Sequence, residues 1–404
     1  MHVFIITQYF PPEIGAAASR WGDYVNILIN QGYKITVLSE APHYPNKNYY
    51  SQYKNHWIKV EKKSPNLTIL RSKAFASNRK GFLKKIIHYF VFMISAIINS
   101  RLVKDYNILI ISSPPLFTGI IGLFIKYFRK KEYFLDVRDL WPDSALELGQ
   151  IKKNYIYKLG KKLELKIYNS AKGFIFPVPG FKSYFKNLSH EISKKPMFEL
   201  INGISDDFLK ESSSIKIKSD KRFTVLYSGN IGLAQDLKTI INSAEMLKNY
   251  DIYFKFIGEG VCREEIELLS IPFSDKIDFY RPLPRSELIK HIKKASICLV
   301  PLKDKKLFKS ALPSKMFEYM ACGKPIIASI KGDAEKIIND SKAGMVVEPE
   351  NAKLLSDAIM KYYLNRNRCN LEGENGMTYI TKKLSKELLI SNLMNKIKSE
   401  QKII

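Results

Sequence analysis

A chain of 404 residues is longer than one hydrophobic core usually supports, so its length predicts two domains of roughly 200 residues each. With 46% hydrophobic and 12% aromatic residues, the composition excludes a disordered or fibrous protein. The formal net charge of +26 is concentrated at the front: residues 1–200 carry 31 Lys and Arg against 13 Asp and Glu, a surplus of 18, whereas residues 201–404 carry 34 against 26, a surplus of 8. Nucleic acid and an anionic membrane leaflet both attract such a basic half, and charge alone does not choose between them.

The chain opens directly on the strand-like run HVFIIT, with no charged-then-apolar leader, so secretion is not expected. Short β-branched runs predict strands at 2–7, 34–39, 67–71, 107–112, 132–137 and 173–177, separated by amphipathic stretches near 17–31, 81–102, 116–129 and 152–170. This alternation of strand and helix is the pattern of a parallel sheet. A second series begins at 222–229 and continues at 252–258, 276–280, 296–301, 324–329 and 344–348, so the fold class is α/β with a doubly wound sheet begun twice. Between the two series, the polar stretch 211–221 reads as a linker. Cys262, Cys298, Cys322 and Cys369 are far apart and lack metal-ligand spacing, which suits free thiols in a reducing cytoplasm.

The apolar run from Ile86 to Ile98 is too short to cross a bilayer, which takes about 20 residues. Leu83, Ile86, Ile87, Phe90, Ile94, Ile97 and Ile98 form one helical stripe, with Arg79, Lys80, Lys84 and Lys85 at its start. Two readings fit: a core helix covering the sheet, or a helix lying in a membrane interface. The closing stretch 380–400 predicts an amphipathic helix with a lysine-rich outer face.

In open α/β sheets ligands bind at the carboxyl ends of the strands, so loops after strands are the places to search. After the first strand comes TQYFPPEIGAAASR, where Gly15 and small residues lead into a helix whose amino end suits a phosphate. In the second half YSGNIGLAQDL repeats the plan with Gly229, and FIGEG ends the next strand with Gly258 and Gly260, where bare backbone would admit a base or ribose. The richest segment is LPSKMFEYMACGKPIIAS (312–329). Lys315 falls in the first turn of its helix and suits a diphosphate, and Glu318, three residues on, suits two ribose hydroxyls. No Asp-x-Asp triplet and no His, Cys and carboxylate cluster points to a metal.

Together TQYFPPEIG, SSPPL (112–116), DVRDLWPDS (136–144), PVPGF (177–181), INGISDDF (201–208), YSGNIGLAQDL, FIGEG and LPSKMFEYMACGKPIIAS resemble glycosyltransferase family 4, over nearly the whole chain and in the family's order. The likeness is strongest to the bacterial branch acting in O-antigen, capsule and colanic-acid assembly, including N-acetyl-L-fucosamine transferases. It implies a GT-B fold, two Rossmann-like domains facing across a cleft: residues 1–205 for the acceptor and 206–375 for the donor, with a C-terminal helix at about 376–404 packing back on the first. It also implies retention of anomeric configuration and no metal or other cofactor.

Carried over by position, Gly15 would face the donor diphosphate, and Ser310, Ala311, Leu312, Pro313, Ser314 and Lys315 would meet it from the other domain, with Leu283 also lining the donor site. Glu318 matches the second glutamate of the family's E-x7-E motif. Ser310 stands where the first glutamate belongs, and Asn230 and Gln235 replace an Arg and a Lys common in the family. The charge they would supply then falls to Lys315 and to Arg138, while Asp139 is either a general base for the acceptor or a cap for the turn at Trp141-Pro142. The expected donor is a UDP-sugar and the expected acceptor an undecaprenyl-diphosphate-linked saccharide. The enzyme would work as a peripheral protein on the inner, anionic face of a bacterial cytoplasmic membrane. A nucleic-acid-binding role has only the charge in its favour, since helix-turn-helix, zinc and basic-aromatic patterns are all absent. An inactive sugar-nucleotide-binding subunit is the other alternative, and a sugar-nucleotide 2-epimerase would share the fold.

Overall fold

The computed structural model describes residues 1–13, 15–43, 51–53, 56–74, 82–147, 151–217 and 222–402. Arg79, Lys80 and residues 218–221 of the predicted linker lie outside this set. The chain forms two compact units, Met1–Ile201 with Ile390–Ile404, and Asn202–Leu389.

The first unit is built on an eight-stranded sheet: β1 (His2–Ile6), β2 (Lys34–Glu40), β3 (Ile58–Ser64), β4 (Leu67–Ser72), β5 (Ile108–Ser113), β6 (Phe134–Val137), β7 (Gly173–Phe176) and β8 (Met197–Glu199). The spatial order is β3-β4-β2-β1-β5-β6-β7-β8, parallel throughout except for β3, which runs antiparallel to β4. Val3 through Ile6, and Ile110 and Ile111 beside them, are fully buried, as expected of central parallel strands covered on both faces. Sequence reading misses two strands. β3 (IKVEKKS) is a polar edge strand without an apolar run, and β8 is only three residues long.

The second unit has six parallel strands: β9 (Phe223–Ser228), β10 (Ile252–Ile257), β11 (Ile277–Tyr280), β12 (Ile297–Pro301), β13 (Ile326–Ser329) and β14 (Gly344–Val347), in the order β11-β10-β9-β12-β13-β14. Its core draws on Val225, Phe254, Phe256 and Leu299 of the strands and on Ile240, Ile359 and Tyr362 of helices. Burying each such side chain contributes about 1.5–3 kcal/mol.

Three expectations need correction. Residues 211–214 are not linker: they close the Asp206–Ser214 helix, whose Ser212 hydroxyl donates to the Ala321 carbonyl at 3.2 Å. The single C-terminal helix is two, Arg366–Lys383 and Lys386–Lys402. Ser385 separates them by bridging to Ile204, with Ile204 N–H on Leu384 O at 3.0 Å and Lys386 N–H on Ile204 O at 2.8 Å. From Ile390 onward the last helix belongs to the first unit, where Lys398 Nζ lies 4.8 Å over the Tyr33 ring.

The third concerns the Phe82–Asn99 helix. Its buried face is His88, Phe92, Met93, Ser95, Ala96 and Asn99, while Ile87, Phe90, Ile94 and Ile98 of the predicted stripe are exposed by 37–48%. The stripe is therefore not the core-facing side. Leu102 and, on the adjoining Leu116–Arg129 helix, Tyr127 and Phe128 are exposed as well. Arg101 lies 5.6 Å over the Phe124 ring, which stacks on Phe128 at 4.8 Å. Among the described residues no helix is long and apolar enough to cross a membrane.

Candidate active site

The parallel strands of the second unit bring the loops after β9, β10, β11 and β12 to one edge of the sheet. Gly229 follows β9, Gly258 and Gly260 follow β10, Leu283 follows β11, and Ser310 to Pro313 lead from β12 into the Ser314–Ala321 helix. That helix is fixed by its apolar side, since Met316, Phe317, Tyr319 and Met320 are at most 1% exposed. The Tyr319 hydroxyl accepts the Ser228 N–H at 2.8 Å and bonds the Ser228 hydroxyl at 2.9 Å, docking the helix on the end of β9. No side chain caps its amino end, where Pro313 is extended, so the first-turn amides keep the capacity to bind an anion.

Lys315 sits in that first turn. Part of its stem is open to solvent, but the ammonium is enclosed, makes no hydrogen bond among the described residues, and lies 3.8 Å over the Tyr227 ring. Burial pushes its pKa down to about 7, with Glu318 pulling the other way. Glu318, half-buried one turn on, has its pKa raised by burial against the lowering influence of Lys315, Arg285 and Lys386.

The glycines also make room for neighbouring groups. Gly229 has φ 126°, and a Cβ there would meet Lys315 Nζ at 2.9 Å and Cε at 3.0 Å, so its bare α-carbon makes room for the lysine. At Gly258 a Cβ would strike the Gly229 carbonyl at 1.8 Å, and at Gly260 the Ile231 carbonyl at 2.3 Å. The Gly258 N–H is bonded to Tyr280 O at 3.0 Å. These two glycines let neighbouring loops approach closely and do not open space for a base or ribose on their Cβ side. Asn230 Nδ2 donates to Gln235 Oε1 at 3.3 Å, so the two replacements for the family's cations hold each other. Ser310 ends a short 3-10 turn and is partly exposed, and Ala311 is extended.

In the first unit Gly15, φ 145°, precedes the Ala16–Asn30 helix, and a Cβ on it would meet nothing within 4 Å, so the loop has an open face there. Arg138 Nη2 donates to Pro114 O at 3.0 Å, and burial lowers the guanidinium's pKa. Asp139 Oδ2 accepts from the Ser144 hydroxyl at 2.9 Å, a bond that holds the turn leading into Asp143–Glu147. Of the two roles weighed for Asp139, this contact belongs to the capping one.

Two groups escape sequence reading. Asp136, at 0% exposure in β6, accepts from Arg20 Nη2 at 3.0 Å, Trp21 Nε1 at 2.9 Å and Ser112 Oγ at 2.7 Å. Its signal was a charged residue inside the apolar run FLDV. The second is a buried trio, Glu40, His43 and His88, within metal-binding distance of one another. Their separation along the chain hides them.

Residues 209–378 match the family model described as Glycosyl transferases group 1. Over 98% of this chain and all of the relative, the sequence is 21% identical to the Escherichia coli (strain K12) chain named as colanic acid biosynthesis glycosyl transferase WcaI. It is 24% identical to the glycosyltransferase named WbjE of Pseudomonas aeruginosa, over 66% of this chain and 68% of that one. Among solved structures, sucrose-phosphate synthase from Thermosynechococcus elongatus superposes with a TM-score of 0.73 at 16% identity, covering both chains fully. Anabaena HepE in complex with UDP superposes with a TM-score of 0.68 at 10% identity, covering 99% of this chain and 100% of that one. The fold is GT-B, and the matches together support a GT-B glycosyltransferase in which residues 209–378 are similar to the group 1 family model.

Proposed function

We propose that this chain is a retaining glycosyltransferase of family 4. In this reading it moves an N-acetylated amino or deoxyamino sugar from a UDP donor to an undecaprenyl-diphosphate-linked saccharide in surface polysaccharide assembly. The observation that carries the reading is the Lys315 ammonium, enclosed over Tyr227 at an uncapped helix end and without a hydrogen-bond acceptor. A cation kept in that state waits for an anion. The relative named for colanic acid biosynthesis supports a role in polysaccharide assembly, and the Anabaena structure in complex with UDP supports a nucleotide-sugar donor.

In the reaction the bond from the anomeric carbon to the leaving phosphate oxygen breaks, the acceptor hydroxyl oxygen bonds that carbon from the same face, and the hydroxyl proton passes to the departing phosphate oxygen. Lys315 and the first-turn amides stabilise the departing diphosphate, Glu318 holds the ribose, and Arg138 is the second cation of the proposal. No covalent nucleophile and no metal take part in the transfer, and Asp139 acts as a positioning residue.

Proton linkage tests the donor site. With a pKa of about 7 in the free protein, Lys315 is mostly neutral at pH 8, and a bound diphosphate restores the charged form. Calorimetry with UDP at pH 8 in buffers of different ionisation enthalpy is expected to show uptake of up to about 0.9 proton, falling to about 0.1 at pH 6. Lys315→Met abolishes the uptake. Absence of heat with UDP, GDP and TDP alike would end the proposal. Nucleotide binding without donor hydrolysis or transfer would favour an inactive subunit, a reading that Ser310 and the Asn230–Gln235 bond keep in play.

The exposed Phe90, Ile94, Ile98, Leu102 and Phe128, flanked by Lys84, Arg101, Lys104 and Lys130, form the proposed contact with the anionic cytoplasmic leaflet. Co-sedimentation with phosphatidylglycerol-containing vesicles is expected to fall as salt rises towards about 1 M, where screening shortens to roughly 3 Å. Phe128→Glu lowers it further. Binding that responds to neither change rules this face out.

A further inference from the structure

The first unit holds a buried set of titratable side chains that the transfer chemistry does not use. Glu40 ends β2, His43 follows three residues later, and His88 comes from the Phe82–Asn99 helix. Their side chains are 0%, 5% and 6% exposed. His88 Nε2 lies 2.9 Å from Glu40 Oε2, His43 Nδ1 lies 3.5 Å from Glu40 Oε1, and the three donor atoms are all within 4.8 Å of one another. The imidazole rings meet edge-on, 5.0 Å apart at 61°. Among the described residues this is the one such group.

The surroundings have the makings of a cation site. Glu40 Oε1 is buried and accepts no hydrogen bond among the described residues, while Oε2 takes Gln8 Nε2 at 2.8 Å, a contact that orients the carboxylate as an outer-shell partner would. Glu13, from the loop after β1, accepts the His43 N–H at 3.1 Å, and its Oε1 lies 3.2 Å from His43 Nδ1. The Ala41 carbonyl is 3.4 Å from the same nitrogen. Arg71 bonds the Ser39 hydroxyl and the Phe10 and Pro11 carbonyls, and its charge acts on both Glu61 and Glu13. Two carboxylates enclosed together are costly unless cations offset them.

Metal–ligand bonds of about 2.0–2.1 Å in a tetrahedron set the ligands about 3.3–3.4 Å apart. The Glu40–His88 and Glu40–His43 spacings of 2.9 and 3.5 Å, one to each carboxylate oxygen, fall on either side of that edge. Imidazole donors favour zinc and its neighbours over magnesium and calcium. We propose that Glu40, His43 and His88 bind one divalent transition ion of the zinc class, with a fourth position left to water. It serves the fold by pinning the end of β2 and the chain just after it to the Phe82–Asn99 helix, and it takes no part in sugar transfer.

The test uses the full chain without a polyhistidine tag, loaded with Zn²⁺ and dialysed against metal-free buffer. Elemental analysis is expected to find about one zinc per chain, and Co²⁺ in its place to give the intense visible bands of a four-coordinate site. The double variant His43→Gln/His88→Gln loses at least about tenfold in retained metal, whereas His56→Gln and His190→Gln, at exposed positions, keep it. Wild-type retention below about a tenth of an equivalent, or equal retention by the double variant, overturns the site. If the double variant does not fold, the wild-type melting temperature decides: it rises with Zn²⁺ and levels off at one equivalent if the site exists, and stays flat if it does not.

Discussion

Replacing Lys315 by Met is expected to lower turnover with a nucleotide-sugar donor by about 10²–10³ while raising the melting temperature of the chain. Both effects have one cause. The ammonium is enclosed over the Tyr227 ring, against the bare α-carbon of Gly229, with no hydrogen-bond acceptor among the described residues. A neutral side chain of similar volume removes that burial cost and also removes the charge the leaving diphosphate needs. The pH dependence fixes the sign. Between about 7, where burial holds Lys315, and the ordinary lysine value, the unfolded chain binds more protons than the folded one, so wild-type stability rises with pH across that window. The stability gain of Lys315→Met is therefore largest below about pH 7 and shrinks as the pH climbs. Lys315→Arg is not a conservative control, because the planar guanidinium must enter the space Gly229 leaves for a single ammonium. Full turnover in Lys315→Met would remove this residue from the site, and an unchanged melting temperature would show that its ammonium is solvated.

What could be read from the sequence is what depends on local pattern. Twelve of the fourteen strands among the described residues lie under predicted runs such as FTVLYS and IYFKFI, and Lys315 and Glu318 announce themselves because a helix start after a strand combines Pro-Ser with a first-turn cation. What was hidden depends on contacts between distant segments. Gly258 and Gly260 look like ligand space in a one-dimensional reading, and only the fold shows that Gly229 and Ile231 carbonyls already occupy their Cβ directions. The Phe82–Asn99 stripe has the period of a core helix, yet the sheet takes the other face, with Phe92 and Ala96, and leaves Phe90 and Ile94 outside. Hydrophobic periodicity identifies a stripe but not what covers it.

Asp136→Ala is expected to destabilise the first unit by about 3–5 kcal/mol, a large part of the stability of an ordinary domain. The carboxylate is fully buried and receives three donors from two elements: Arg20 and Trp21 of the Ala16–Asn30 helix, and Ser112 of β5. Arg20 Nη1 in turn donates to Leu200 O at 2.8 Å, so one network joins the helix after the Gly15 loop to β5, β6 and the chain beyond β8. Removing the acceptor leaves a guanidinium, at 1% side-chain exposure, facing apolar volume where its counter-ion stood. Asp136→Asn keeps an oxygen acceptor and loses the charge, so its cost falls between wild type and Ala. Pairing Arg20→Met with Asp136→Leu recovers the part of the loss that comes from the unpaired Arg20 guanidinium, while Trp21 and Ser112 still lack their acceptor. Trp21, Trp57 and Trp141 all lie in Met1–Ile201, so tryptophan fluorescence during denaturation follows this unit alone while circular dichroism follows both. An early fluorescence transition in Asp136→Ala, partly restored in the double variant, is the expected signature. A fluorescence midpoint equal to wild type would mean that the network does not hold the helix.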